Sequence, residues 1–228
     1  MKKFILITGA SSGIGAAAAR AFAKRGENLI LVARRGEMLE ALKAEISEFA
    51  PQCEVALKIC DLAAPQNVFA LWGELKDYRL KALVNVTALT LLSHLFVRDY
   101  KREEATLVNI SSAGGYSIVP RAVSYCASKF YVSALSEGLC HELAADENAK
   151  LRVKVLAPAA TRTEFGARAT GDANYDYDAS FKRYHSAEQM AEFLLRLYDS
   201  DFCVGAVDRN SFEFTLEGPK FNFAGAKK

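Results

Sequence analysis

Near the start of this 228-residue chain, an apolar run, Phe4-Ile5-Leu6-Ile7, leads directly into Thr8-Gly9-Ala10-Ser11-Ser12-Gly13-Ile14-Gly15. An alanine-rich stretch over residues 16–25 follows, closed by Gly26. The apolar run reads as a strand covered on both faces, which requires a parallel sheet with helices on each side. A strand, a glycine-rich turn and a helix N-terminus in succession make an anion site, with bare backbone N–H groups and the positive dipole end facing a pyrophosphate. Gly9, Gly13 and Gly15 suit a tight turn, close backbone approach and close helix packing. Their Gly-x-x-x-Gly-x-Gly spacing differs from the commoner Gly-x-Gly-x-x-Gly, and a lone glycine turn between strand and helix is often turn chemistry only.

The rest of the chain keeps the rhythm. Strands are expected at residues 28–33, 54–60, 80–84, 105–110 and 152–156, and helices at 36–49, 66–75, 87–100 and 122–144. Strands alternating with helices predict an α/β fold, a Rossmann-type doubly wound parallel sheet with helices on both faces. With 51% of its residues apolar, the chain can bury one substantial core, so a single domain over 1–228 is expected. Residues 159–186 lack periodicity and carry Tyr175, Tyr177 and Tyr184, which marks them as an irregular substrate loop. Ser186 and Gln189 then form a capping-box pattern opening a helix to about residue 198, and an edge strand is expected around 212–216.

Composition narrows the function. A net charge of +2 with no basic run interleaved with aromatics gives no case for nucleic acid. The first apolar run is too short for a signal peptide or a membrane span, so no membrane partner is expected. Cys53, Cys60, Cys126, Cys140 and Cys203 show no Cys-x-x-Cys pattern and no metal-ligand pairing with the histidines. Free thiols in a reducing cytoplasm and no metal site are therefore expected. His94 and His141 read as structural, and Cys126 as packed inward.

The chemistry sits later in the chain. If 122–144 is helical, Tyr125 and Lys129, four residues apart, point into one space. A free phenol has a pKa of about 10, and a fixed cation beside it favours phenolate. Ser112, ending the Asn109-Ile110-Ser111-Ser112 run, could hold a carbonyl oxygen against that phenol. Such Tyr-x-x-x-Lys pairs arise by chance on many helices; Ser112 and the glycine loop give this one its meaning. Where a cofactor with a free ribose would call for an acid, the second strand ends in Ala33-Arg34-Arg35. Cations at a helix start oppose the macrodipole, and a 2′-phosphate would explain them.

Together these residues resemble the short-chain dehydrogenase/reductase family in its NADP-preferring form, over nearly the whole chain. The resemblance implies an NADP(H) site built from the glycine loop (Gly9, Ser11, Ser12, Gly13, Ile14, Gly15), with Arg34 as 2′-phosphate selector and Asp61 and Leu62 as adenine contacts. It makes Tyr125 the general acid/base, Ser112 the group that orients a carbonyl or alcohol, and Lys129 the cation that lowers the phenol's pKa and holds the nicotinamide ribose. Pro158 and Thr163 keep the register of the carboxamide contact, although Ala159 stands where the family has glycine. It also implies a homodimer or homotetramer through the helices at 87–100 and 122–144, with Leu95, Phe130 and Leu139 facing outward.

One departure is larger. The family follows its fourth strand with Asn-Asn-Ala-Gly, a loop and a helix before Asn-Val-x-Gly/Ala; here the strand runs through Asn85 straight into Val86-Thr87-Ala88. Roughly two dozen residues of the pattern have no counterpart, although a strand, a helix and a strand still make a legal crossover. The expectation is a segment missing near 85–86, with a Cα–Cα gap at Val84–Asn85 or Asn85–Val86 longer than the ~3.8 Å of a trans peptide. Asn85 is then the candidate fourth catalytic residue, polarising Lys129 through water. The function implied is an NADP(H)-dependent oxidoreductase acting on a small carbonyl or secondary alcohol, with ketone or aldehyde reduction favoured. The alternative is a catalytically inactive NADP(H)-binding sensor or assembly protein.

Overall fold

Strands apolar along their whole length need cover on both faces, and this chain supplies it with helices that alternate with them. The computed structural model describes residues 2–85 and 88–224. The first half runs β1 (Lys3–Thr8), α1 (Gly13–Lys24), β2 (Asn28–Ala33), α2 (Gly36–Phe49), β3 (Val55–Ile59), α3 (Pro65–Glu74), β4 (Arg79–Asn85), α4 (Leu89–Tyr100) and β5 (Thr106–Ile110). It continues through α5 (Val123–Ala144), β6 (Arg152–Ala157), β7 (Thr161–Arg162), α6 (Phe165–Thr170), α7 (Tyr177–Ser180), β8 (His185–Ser186), α8 (Ala187–Asp199), β9 (Val204–Val207) and β10 (Phe214–Glu217). Eight strands form one doubly wound sheet in the order β10-β9-β6-β5-β4-β1-β2-β3, parallel except for β10, which runs antiparallel to β9.

Side-chain alternation divides the core. Ile5, Ile7, Leu29 and Leu31 face a layer that includes residues of α1, α2 and α8. Their neighbours Phe4, Leu6, Ile30 and Val32 face Trp72 of α3 and Leu92 and Phe96 of α4. Each such side chain contributes about 1.5–3 kcal/mol relative to exposure, so both faces hold the sheet. The run of buried alanines Ala16, Ala17, Ala18 and Ala19 in α1 lets that helix lie close to its neighbours. Lys154 is the polar exception within β6. It is 1% exposed, and its ammonium donates to the carbonyls of Leu197 at 2.7 Å, Tyr198 at 3.3 Å and Ser200, capping the end of α8.

Several expectations change. The stretch 159–186 is ordered rather than irregular. β7 pairs with β8, and between them in the chain α6 is tied to α7 by the Gly166 N–H, which donates to the Tyr177 hydroxyl at 3.0 Å. A Cβ at Gly166 would come within 2.3 Å of the Tyr175 ring, so the glycine permits that packing. β9 was not foreseen, and the edge strand begins at Phe214 rather than 212. Leu95 does not face outward: it is 3% exposed, within the core on the α3 and α4 side, where Leu139 also packs. Phe130 lies against the C-terminal segment, its ring centroid 6.2 Å from that of Phe221. Cys126 is buried and all five cysteines are free, as expected. The capping box at α8 forms, Ser186 and Gln189 satisfying each other's backbone amides.

Val84 and Asn85 continue β4 in step with Val108 and Asn109 of β5. The strand therefore runs on through Val84–Asn85, the first of the two junctions where a longer gap was expected, and the second, Asn85–Val86, lies outside the described residues.

Candidate active site

β1 is flanked by β2 and β4, and the helices that follow β1 and β4 leave toward opposite faces. A crevice opens at the carboxyl ends of the strands where the winding reverses, the place where open α/β sheets take their ligands. The glycine loop lies there. Gly9 (φ 65°) and Gly13 (φ 55°) are left-handed, a conformation that favours glycine. A Cβ at Gly15 would stand 2.4 Å from the Gly9 carbonyl oxygen. The Ser12 side chain accepts no helix amide at the start of α1, and no acid occupies the first turn, so the leading amides of the helix are open to an anion.

Of the two arginines after β2, Arg34 is exposed and makes no hydrogen bond or ion pair among the described residues. Arg35, which the sequence offered beside Arg34 to a 2′-phosphate, binds the loop: its guanidinium donates to Ser11 Oγ at 3.1 Å and Ser12 Oγ at 2.8 Å and pairs with Glu164 at 3.0 Å. That pairing holds the Glu164 carboxyl below its ordinary range. The only sequence signal for it was a second arginine at a helix start, where a cation opposes the dipole.

The carboxyl end of β5 and the first turns of α5 bring the candidate reacting groups together. Ser112 Oγ accepts the Gly114 N–H at 3.0 Å, which fixes its hydroxyl at the mouth of the crevice. A Cβ at Gly114 would lie 3.5 Å from both Ser112 Oγ and Tyr125 Cε1, so the two side chains converge on one spot. Lys129 Nζ lies 5.9 Å from the centre of the Tyr125 ring and donates to the Ile110 carbonyl at 3.1 Å. Behind them, Ser111 Oγ meets Ser133 Oγ at 2.7 Å and donates to the Lys129 carbonyl at 3.0 Å, while Asn109 Nδ2 donates to Ser136 at 3.0 Å. These contacts fix the face of α5 that carries Lys129, Ser133 and Ser136 against the end of β5.

Electrostatics here differ from the expectation. Burial pushes the Tyr125 phenol above its ordinary pKa, partly opposed by its hydrogen bond with Ser112. Burial likewise pushes the Lys129 ammonium down. Desolvation is the leading cause at both groups.

A single cavity of about 1850 Å³ joins these parts. Its walls include Gly9, Ser11, Ser12, Gly13, Ile14 and Gly15 of the loop, Arg34, Asp61 and Leu62 beside it, and Ser112, Tyr125, Lys129, Pro158 and Thr163. The Pro158 carbonyl accepts the Ala113 N–H at 2.7 Å, tying the ends of β5 and β6 together. Thr163 is close enough to the loop that a Cβ at Gly13 would come within 3.2 Å of it. Ala159 needs no left-handed backbone, so its Cβ is tolerated. Asn85 ends β4 opposite Asn109, and its side chain lies outside the described features. Arg121, Arg209 and Phe212 also line the cavity. The turn between β9 and β10 was readable only as an Asp208-Arg209-Asn210-Ser211 cluster, a turn signal with no hint of its neighbours.

The open cradle at α1, the glycines that a Cβ would block and the size of the cavity all fit a dinucleotide. Comparison with known proteins agrees. The short chain dehydrogenase family model matches residues 3–83 and 74–174. A sulfoacetaldehyde reductase of Chromohalobacter salexigens is 33% identical, over 83% of this chain and 87% of its own. A farnesol dehydrogenase of Aedes aegypti is 32% identical, over 71% and 78%. Among solved structures, a short-chain dehydrogenase from Sphingobium yanoikuyae in complex with NADPH superposes with a TM-score of 0.79 at 30% identity, covering 89% of this chain and 86% of that one. Matched through its glycine loop, its strand order and the helix that carries Tyr125 and Lys129, this chain belongs to the short-chain dehydrogenase family of oxidoreductases.

Proposed function

We propose that this protein is an NADP(H)-dependent reductase of small ketones or aldehydes. The observation that carries the reading is the convergence of Ser112, Tyr125 and Lys129 on the cavity that the glycine loop also lines. The loop amides and the N-terminus of α1 would hold the pyrophosphate, Arg34 the 2′-phosphate, Asp61 and Leu62 the adenine, Lys129 the ribose, and Pro158 and Thr163 the carboxamide. Bound NADPH supplies a hydride for the carbonyl carbon. Ser112 presents its hydroxyl to the carbonyl oxygen and holds it against Tyr125. The Tyr125 phenol delivers the proton to that oxygen as the alcohol forms, and Lys129 compensates the phenolate left behind. Asn85 is kept as the candidate for polarising Lys129. The preference for NADP(H) rests on Arg34, a cation without a partner among the described residues at the end of β2. Five free cysteines support a reducing, cytoplasmic setting.

The names of relatives span a sulfonated aldehyde and a long apolar alcohol, so they do not choose a substrate. A second reading, a non-catalytic NADP(H)-binding protein, draws support from the short crossover after β4. The family model matches in two pieces, 3–83 and 74–174, that overlap just before this junction. A panel of carbonyl compounds, with NADPH and NADH oxidation followed by absorbance, separates the two. The reductase reading expects turnover with NADPH in preference to NADH. Tight NADPH binding with no turnover across the panel favours the second.

A further inference from the structure

Charge is unevenly spread along the cavity. Two acids line it: Asp61, beyond β3, and Glu164, already paired with Arg35 at 3.0 Å and Arg168 at 2.6 Å. Its lining also carries the exposed Arg121, Lys182, Arg183 and Arg209 and, among the described residues, no acid beyond those two.

Two routes bring these cations to the same end. Arg121 stands four residues before Tyr125. Arg209 Nη1 donates to Ser117 Oγ at 3.4 Å, and Ser117 Oγ donates to the carbonyl of Ala113, the residue after Ser112, at 3.0 Å. Lys182 and Arg183 ride on the arm between Phe181, stacked on Tyr177, and His185, whose N–H donates to the Ala160 carbonyl at 2.9 Å. The His185 ring lies 5.7 Å from that of Phe212, in the same turn as Arg209, so the arm and the turn meet.

Two other arginines of the cavity find an acid: Arg35 and Arg168 both pair with Glu164. Arg121, Lys182 and Arg183 have no ion pair or hydrogen bond among the described residues, and Arg209 has only the long bond to Ser117. Nearby acids are committed elsewhere: Asp176 caps α7, Asp178 accepts from the Tyr184 hydroxyl at 2.6 Å, and Asp208 accepts the amides of Asn210 and Ser211. Arg121 (φ 65°) and Phe212 (φ 61°) are both left-handed, strain of the kind that collects at ligand sites. The pyrophosphate and 2′-phosphate already have the glycine loop and Arg34. Four like charges around one concavity repel one another and draw in an anion.

We infer that the carbonyl substrate itself bears an anionic group, a carboxylate or sulfonate held by Arg121 and Arg209 with Lys182 and Arg183 at the rim. This rests on the reductase reading and names its substrate class. The anionic group is unchanged in the reaction, and its recognition sets which carbonyl is presented to Ser112 and Tyr125.

The test compares succinic semialdehyde with its methyl ester as substrates with NADPH, and isethionate with ethylene glycol as ligands of the NADP+-loaded protein by calorimetry. The free acid should exceed the ester about tenfold in kcat/KM, and isethionate should bind about tenfold more tightly than the diol. Arg121→Gln and Arg209→Gln should each shrink the acid-to-ester ratio about threefold to tenfold, and added salt should shrink it too. An ester turned over as well as the acid, or variants that slow both alike, would overturn the inference. If neither aldehyde reacts while isethionate still binds selectively, the reductase reading fails and the anion site stands. If the ester is reduced and isethionate does not bind, the reverse holds.

Discussion

Arg34 is the cation that should read the cofactor's ribose. Arg34→Asp removes a phosphate partner and adds a repelling charge, so NADPH should lose about ten- to a hundredfold in kcat/KM while NADH loses little. Equal losses for both cofactors in steady-state kinetics would show that Arg34 does not select. Tyr125 offers a pH test. Its folded pKa is raised above the ordinary value of about 10, so the phenol keeps its proton through neutrality. Reduction consumes that proton, and its kcat/KM for the carbonyl should stay level from about pH 6 to about pH 9. Oxidation of the alcohol needs phenolate and should rise with pH across that range. A reduction profile falling with a midpoint near neutrality would mean that Lys129 overcomes burial, as the family resemblance implied. The residues that line the cavity from Gly9 to Thr163 were legible as candidates because each carries a recognisable chemistry at a fixed spacing. The balance between burial and charge at Tyr125 was not, because it depends on a separation that no spacing encodes.

Elements were legible where their apolar patterns were long. β2 and α2 stand at the expected residues, since a strand covered on both faces and a helix with one apolar stripe each leave a clear period. β9 was invisible: four buried residues, Val204–Val207, are too few to show a period. The order within 159–186 was also hidden, because it comes from one glycine's room for a tyrosine ring and from two-residue strands 24 positions apart that pair as Thr161 with His185. Lys154 likewise reads as a misplaced charge inside a strand until the end of α8 is seen around it. Lys154→Met fills a similar volume but leaves the carbonyls of Leu197, Tyr198 and Ser200 without their donor. Urea unfolding should show a loss of about 2–4 kcal/mol. A change under ~0.5 kcal/mol would mean that relief from burying the charge offsets the lost bonds.

Across the whole molecule, the C-terminal segment is tied to the catalytic helix by one buried carboxylate. Glu137, 1% exposed, accepts from the Tyr116 hydroxyl at 2.6 Å and from the N–H groups of Lys220 and Phe221 at 2.6 and 2.8 Å. Phe221 stacks on Tyr116 and lies against Phe130, so this segment covers part of the helix face that the sequence had assigned to a partner subunit. Glu137→Ala strands three donors and should cost about 2–4 kcal/mol in thermal or urea unfolding, with the C-terminal segment becoming protease-sensitive first. Unchanged stability would show that the segment is held by its rings alone. If Ser112, Tyr125 and Lys129 act on a carbonyl beside a bound nicotinamide, as proposed, one substitution isolates the proton donor. Tyr125→Phe keeps the ring packed near Phe165 and removes only the acidic hydroxyl. With a carbonyl that the wild-type protein reduces, kcat should fall about a thousandfold while NADPH binding, read by fluorescence, changes less than about threefold. A variant that retains kcat within about tenfold would contradict the account, because the proton would then come from another group.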